Sequence, residues 1–196
     1  MSKAELRAAI RQERRNFVQS VRAQGEAAER RLAEALAAQV FQHLGPHLQG
    51  GCVVAGYRPT PWEIDPSAIE AHLLAAGITV ALPRTRPNAP LTFHAIDRHT
   101  VIEPGLHGIH EPPADAPIVV PDVILVPLVA VDRRGIRLGQ GGGHYDRTLE
   151  ALRRDKTIRA IGLAFDVQLV DYIDAEPHDQ RLDAIATPTQ WLAADG

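Results

Sequence analysis

Four glycines occupy five consecutive positions, Gly139-Gln140-Gly141-Gly142-Gly143, and His144, Tyr145, Asp146 and Arg147 follow them. Arg137 and Leu138 stand immediately before. Without Cβ atoms, successive backbone N–H groups can turn inward and approach an anion closely. A helix beginning behind the glycines adds the positive end of its dipole. Arg137 and Arg147 can clamp phosphate oxygens in a fork, and a carboxylate such as Asp146 in the first helical turn can hold Mg²⁺ directly or through water. The expected ligand is a phosphate chain with its metal. The spacing is neither that of the Gly-Lys-Ser/Thr phosphate loop nor that of the dinucleotide fingerprint.

Further cations lie at the start of the chain. Lys3 and Arg7 are spaced i,i+4, which puts both on one face of a helix. Residues 1–35 hold eight Lys/Arg against five Asp/Glu, and residues 160–196 hold seven Asp/Glu against one Arg. Either these are solvated faces, or a cationic start meets an anionic ligand while an acidic end holds a cation. Nine histidines raise the question of a metal site. The closest pair, His107 and His110, has only Glu111 beside it in a Pro/Gly-rich stretch, and a structural or solvent-facing role is expected. His178 beside Asp179 could approach a nucleotide. Cys52 reads as a small buried hydrophobe.

The elements that must position these groups are legible in outline. Ser2-Lys3-Ala4-Glu5 is a capping box opening a helix to about Val21, with Leu6, Ile10, Phe17 and Val21 as its apolar stripe. A second helix spans Glu26 to Leu44. Apolar runs at Cys52–Tyr57, Ile78–Leu82, Leu91–Ile96, Val123–Val126 (reaching toward Val131) and Ile158–Phe165 predict strands. Asp65-Pro66 predicts a helix start, with the helix running to about Ala76. Residues 97–117 read as loop, a helix starts near Tyr145, and a short helix precedes a last strand at Ala184–Ala186. Strands apolar on both faces that alternate with helices predict an α/β fold: a three-layer α/β/α, Rossmann-like arrangement with a mostly parallel sheet and two N-terminal helices. The glycine-rich segment follows the most apolar strand, at the strand end where ligands of open α/β sheets bind.

Composition narrows the function. The chain has 196 residues, 45% hydrophobic and 23% charged, with a net charge of −3, which fits one domain over 1–196. That charge argues against holding nucleic acid through bulk electrostatics. A single cysteine excludes a disulfide framework and points to a reducing, cytoplasmic home. Residues 1–15 carry charges rather than the apolar core of a secretion leader, and no run is long enough to cross a membrane.

These residues also carry a resemblance. Lys3-x-x-x-Arg7, Glu63-Ile-Asp, Gly108-Ile-His-Glu-Pro112, Arg137-Leu-Gly-x-Gly-x-Gly-x-Tyr-Asp146, Gly162-Leu-Ala-Phe165 with Gln168, His178-Asp179 and Leu182-Asp-Ala-Ile-Ala-Thr187 occur in this order from residue 3 to 188. Together they resemble the 5-formyltetrahydrofolate cyclo-ligases, the glycine block being the most specific match. The resemblance implies an enzyme that uses ATP as co-substrate and Mg²⁺ as cofactor to convert 5-formyltetrahydrofolate to 5,10-methenyltetrahydrofolate. It implies phosphorylation of the formyl oxygen, ring closure by N10, and release of ADP and phosphate.

By the same resemblance, Lys3, Arg7, Arg137, Leu138, Gly139, Gln140, Gly141, Gly142, Gly143, His144 and Tyr145 bind ATP, and Asp146 and Asp183 hold Mg²⁺. Glu63 accepts hydrogen bonds from the pterin, with Tyr57 and Trp62 lining the folate pocket and Phe93 a weaker member of it. Some members carry a basic residue inside the glycine block, where this chain has Gln140 and Gly142. Arg137 and Arg147, with Tyr145, are therefore the expected catalytic groups around the transferred phosphate. His144 stands where a second Tyr is frequent, and Pro66 where Thr is. The partners expected are ATP and a reduced folate, with the chain a monomer and with neither nucleic acid nor membrane involved. Two other classes remain: a non-catalytic folate- or nucleotide-binding paralogue, and a sugar-phosphate isomerase or CoA-transferase-like enzyme that needs no nucleotide.

Overall fold

A computed structural model describes residues 2–87, 89–105 and 108–194. His107, and with it the His107/His110 pair, lies outside the described residues. Helix α1 (Lys3–Ala23) opens with the expected capping box: Ser2 Oγ accepts from Glu5 N–H at 3.2 Å, and the Glu5 carboxylate accepts from Ser2 N–H at 2.8 Å. It buries Leu6, Ile10, Arg14 and Val18. Arg14 is an unexpected member of that stripe, satisfied in part by donating to Leu128 O at 3.1 Å. Helix α2 (Glu26–Leu44) has the predicted bounds. Helix α3 (Ser67–Ala75) starts one residue later than Asp65-Pro66 suggested, with Pro66 at the cap and Asp65 Oδ1 accepting from Ser67 N–H. The fourth helix, α4 (His144–Asp155), begins directly behind the glycines.

An eight-stranded sheet is built from β1 (Val53–Ala55), β2 (Thr79–Arg84), β3 (Thr92–Ile96), β6 (Ile118–Val119), β7 (Val123–Pro127), β10 (Arg159–Leu163), β11 (Ala184–Ala186) and β12 (Trp191–Ala193). Their order is β12-β11-β10-β7-β1-β2-β3-β6. The pairs β11–β10, β10–β7, β7–β1 and β1–β2 are parallel, while β12, β3 and β6 join antiparallel at the two flanks. The sheet is therefore mostly parallel, as expected, but mixed at its edges.

Alternate strand residues face opposite layers, the period-2 rule of a pleated sheet. Val54, Val80, Val123, Leu125, Ile161 and Ala184 pack with α1, α2 and α3 through Val18, Leu36, Val40, Ile69 and Leu73. Ala55, Ala81, Ile124, Val126, Ala160 and Ile185 pack on the other face with Leu149 and Leu152 of α4. This double burial explains why the strands read as unbroken apolar runs.

Three departures from expectation are local. The apolar run after β7 does not continue to Val131: it breaks at Pro127, and β8 (Ala130–Val131) pairs antiparallel with β9 (Arg137–Leu138). The stretch 97–117, read as loop, contains a hairpin of β4 (Glu103–Pro104) and β5 (His110–Glu111) outside the main sheet. Cys52 is half-buried rather than enclosed, and burial pushes its thiol pKa up.

Chain order reverses between β1 and β7: β1 leads on to β2 on one side, and β7 leads on to β10 and β11 on the other. Such a reversal leaves a crevice outside the carboxyl ends of the strands, where connections diverge to opposite layers.

Candidate active site

A cavity of about 500 Å³ lies in that crevice. Tyr57 and Arg58 follow β1, Pro83 and Thr85 end β2, and Pro127 ends β7, and all five line it. The lining is of two chemical kinds. Lys3, Arg7, Arg137, the 139–143 turn, Asp146, Glu176, His178 and Asp179 supply charges and hydrogen-bonding groups. Tyr57, Pro83, Leu91, Ile109, Pro127 and Tyr145 are its mostly apolar members. Glu63 and Glu111 add two more carboxylates, Glu63 beside Gln140 of the glycine turn.

The glycine turn is held from both sides. Gly141 has φ +110° and Gly143 φ +62°, conformations that residues with a Cβ rarely adopt. Gly143 caps α4 in the left-handed region. From α1, Arg7 Nε donates to Gly139 O at 2.9 Å, and Arg11 donates to Gln140 Oε1 at 2.5 Å. From behind, Arg147 donates to Gly142 O at 2.8 Å. Gln140 Nε2 in turn donates to Glu63 Oε1 at 3.1 Å, and Glu63 Oε2 accepts from Thr60 N–H at 2.8 Å. One glutamine side chain thus links helix α1 to the 60–63 turn across the mouth of the cavity.

Arg137 is positioned with unusual thoroughness. Buried Asp132 fixes the turn before it, accepting from the backbone N–H groups of Arg134, Ile136 and Ile173. The Arg137 guanidinium then donates to Asp146 Oδ1 at 2.7 Å and to Gln180 O, while Asp146 Oδ1 also accepts from Gln180 N–H at 3.0 Å. Burial lowers the Arg137 pKa, and the neighbouring Asp146 carboxylate counters that effect. Tyr145 is pushed well up by burial, with Glu63 adding to the shift, so its phenol stays protonated.

The acidic end of the chain meets the cationic start. Lys3 Nζ lies 2.8 Å from both Glu176 Oε2 and Asp179 Oδ2. Glu176, His178 and Asp179 bring ligand atoms within 4.8 Å of one another, and Lys3 supplies their counter-charge. Burial works against ionisation of Asp179, but the Glu176 N–H and Lys3 outweigh it and hold the carboxyl below its ordinary range. A carboxyl held low in the folded chain stabilises that chain above its ordinary pKa, and the contribution is lost as pH falls through the lowered value. The melting temperature of an Asp179→Asn variant should therefore lie below the parent's near neutrality. The gap should close on acidification, as a Tm-against-pH series will test; a constant gap would refute the assignment.

A glycine-rich turn, clustered cations and a first-turn carboxylate line one cavity with apolar side chains at the topological switch point. The sequence profile of the 5-formyltetrahydrofolate cyclo-ligase family matches residues 1–188. The chain belongs to that family. A cyclo-ligase from Mycolicibacterium smegmatis is 37% identical over 98% of this chain and 97% of its own length. One from Escherichia coli K12 is 38% identical over 65% of this chain and 73% of its own. The solved Aquifex aeolicus 5,10-methenyltetrahydrofolate synthetase superposes with a TM-score of 0.79 at 28% identity, covering 100% of this chain and 95% of that one. The Mycoplasma pneumoniae synthetase, at 24% identity and a TM-score of 0.72, shares the fold.

Most of the residues expected from the cyclo-ligase pattern meet in the cavity: Lys3, Arg7, Tyr57, Glu63, Asp146 and the whole of 137–145 line it. Four do not. Asp183 is held by Arg153 at 2.7 Å and by Ala160 N–H at 2.7 Å. Asp183 is absent from the lining that includes Asp146. Trp62 lies under the guanidinium groups of Arg15 and Arg22, at 5.9 and 5.3 Å, and is absent from the lining. Phe93 is buried in the sheet core on the α4 side. Arg147 braces the turn from behind instead of facing the cavity. Tyr57 contributes wall rather than a free hydroxyl, since its OH donates to Ile64 O at 2.7 Å.

Sequence reasoning missed Arg11, Thr85, Glu111 and Glu176 as parts of the site. Arg11 was detectable, because it continues the Lys3, Arg7 spacing by one more turn. Asp179 was flagged by the His178-Asp179 match, whereas Glu176 had only its local acidity as a signal.

Proposed function

We propose that this chain converts 5-formyltetrahydrofolate to 5,10-methenyltetrahydrofolate with consumption of ATP, in the cytoplasm. The observation that carries the reading is the mixed lining of one cavity: cations and a glycine-rich turn suited to a triphosphate share it with apolar side chains and carboxylates suited to a pterin. In this reading Lys3 and Arg7 neutralise the phosphate chain, and the 139–143 turn offers backbone donors to it. Arg137, already fixed by Asp146 and Gln180, presents its guanidinium to the γ-phosphate. Glu63 accepts hydrogen bonds from the amidine-like edge of the pterin, which lies against Tyr57 and Tyr145.

An amide-type oxygen is a poor leaving group, and transfer of the γ-phosphoryl group to the formyl oxygen turns it into a good one. N10 then attacks within the same molecule, and such tethering supplies about 7–11 kcal/mol of barrier lowering. The chain is left with positioning and charge neutralisation, as in other phosphoryl transfers. That suits a cavity whose lining contains no cysteine or serine nucleophile among the described residues.

The donor set also fits Mg²⁺, a hard cation that takes one or two carboxylates and completes its shell with phosphate and water. Asp146 would hold it, with Asp179 and Glu176 as further oxygen donors once Lys3 turns to the phosphates. Bound there, Mg²⁺ would offset phosphate charge.

The test is direct: protein, Mg·ATP and 5-formyltetrahydrofolate are mixed, and methenyl absorbance is followed in the near ultraviolet. A rise matched by ADP is expected, and no signal with any nucleoside triphosphate would refute the reading. Glu63→Gln should raise KM for the folate about tenfold, the cost of weakening a charged hydrogen bond, and leave KM for ATP unchanged. If the ATP requirement rises instead, Glu63 serves the nucleotide.

A further inference from the structure

Ring closure has a proton balance that the reading above leaves open. N10 of 5-formyltetrahydrofolate is a secondary amine bearing one hydrogen, and N10 of the methenyl product bears none. When the N10 lone pair attacks the phosphorylated formyl carbon, the new C–N bond leaves a positive charge and the hydrogen on N10. The N10–H bond must then break with its electron pair staying on nitrogen. The C–O bond breaks with its pair leaving on phosphate, and an amidinium remains. An acceptor for that proton has to stand beside the bound folate.

Most cavity carboxylates are committed elsewhere. Asp146 Oδ1 accepts from Arg137 and Gln180 N–H, and Glu176 and Asp179 are bound to Lys3. Glu63 is anchored by Thr60 N–H and Gln140. Glu111 accepts one hydrogen bond, from Thr85 N–H, and pairs with Arg84 only at 3.9 Å. It belongs to the β4–β5 hairpin, which stands off the main sheet beside the end of β2, and it lines the cavity together with Ile109, Pro83 and Leu91. It is only 3% exposed, so bulk water does not compete there.

The side chain is aimed by its surroundings. Stem and carboxyl both lie against Gly105, where a Cβ would come within 2.4 Å of Glu111 Cδ and 2.7 Å of Oε2. Oε1 accepts from Thr85 N–H at 2.9 Å. Oε2 is 3.9 Å from Arg84, whose guanidinium donates instead to Pro112 O. We propose that Glu111 is a catalytic residue that takes the N10 proton as the ring closes. The inference rests on the cyclo-ligase reading of the same cavity. An aryl-substituted ammonium is acidic enough to give its proton to a carboxylate, so the pairing needs no exceptional base.

Glu111→Gln separates this role from a structural one, because the amide oxygen still accepts from Thr85 N–H. Methenyl formation should fall about 10²-fold, the lower range for loss of a general base, with both KM values near the parent's. Phosphoryl transfer should persist, and water attacking the phosphorylated intermediate returns 5-formyltetrahydrofolate and phosphate. The ratio of ADP to methenyl product should therefore rise above the parent's. Glu111→Asp, which keeps a base on a shorter arm, should keep the parent's ratio at a reduced rate, and it serves also if the Gln variant fails to fold. An unchanged rate, or ADP and methenyl falling together in the Gln variant, would overturn the role of Glu111. A parent enzyme that makes no methenyl product would overturn the cyclo-ligase reading itself.

Discussion

An Asp146→Asn variant is expected to lose about three orders of magnitude in kcat/KM for Mg·ATP, the upper range for removing one group that stabilises transition-state charge. The amide retains an acceptor for Gln180 N–H and for Arg137, so the hydrogen-bond pattern around 137–146 survives. What disappears is the negative charge that compensates a buried guanidinium and that, in the proposed function, would offer an oxygen to Mg²⁺. The Mg²⁺ concentration needed for half-maximal rate should rise together with the loss. The measurement is a rate series over Mg²⁺ at saturating folate, and parent-like rates at limiting Mg²⁺ would remove Asp146 from the metal's surroundings.

Arg137→Lys carries the second large effect. Charge is kept, but the fork is lost. The guanidinium reaches Asp146 with one nitrogen and Gln180 O with another, and a single ammonium cannot serve both acceptors and a phosphate as well. The kcat should fall about 10²–10³-fold, as for loss of one preorganised donor. Folding stability should drop by about 1–3 kcal/mol, the cost of one buried acceptor left unsatisfied. Turnover and urea unfolding midpoints report the two effects separately. A lysine variant that turns over like the parent would show that charge alone suffices there.

The features legible in the sequence are those that local chemistry dictates. Ser2 and Glu5 specify the start of α1 whatever surrounds them. The double-sided apolar runs can only be central strands. Glycines at 141 and 143 announce backbone conformations that the structure indeed adopts.

What stayed hidden depends on partners far along the chain. Asp183 looks equally suited to a metal or to an arginine, and Arg153, thirty positions away, decides the matter. Trp62 looks like a stacking platform for substrate until Arg15 and Arg22 cover it. The flanking strands β6 and β12 and the β4–β5 hairpin have two or three residues each, too few for any periodicity to register. Glu111 therefore reads as part of a loop until pairing with Glu103 places it on the cavity wall.

The bond between Lys3 and Asp179 joins positions 176 apart. Chains emerging from a ribosome fold from the N-terminal side first. A nascent chain can thus complete α1 and the glycine turn well before residue 179 has been added. Until then Lys3 lacks both of the carboxylates it pairs with in the finished fold. A chain released before residue 176 would therefore carry its N-terminal lysine without the counter-charge that only the last tenth of the sequence supplies.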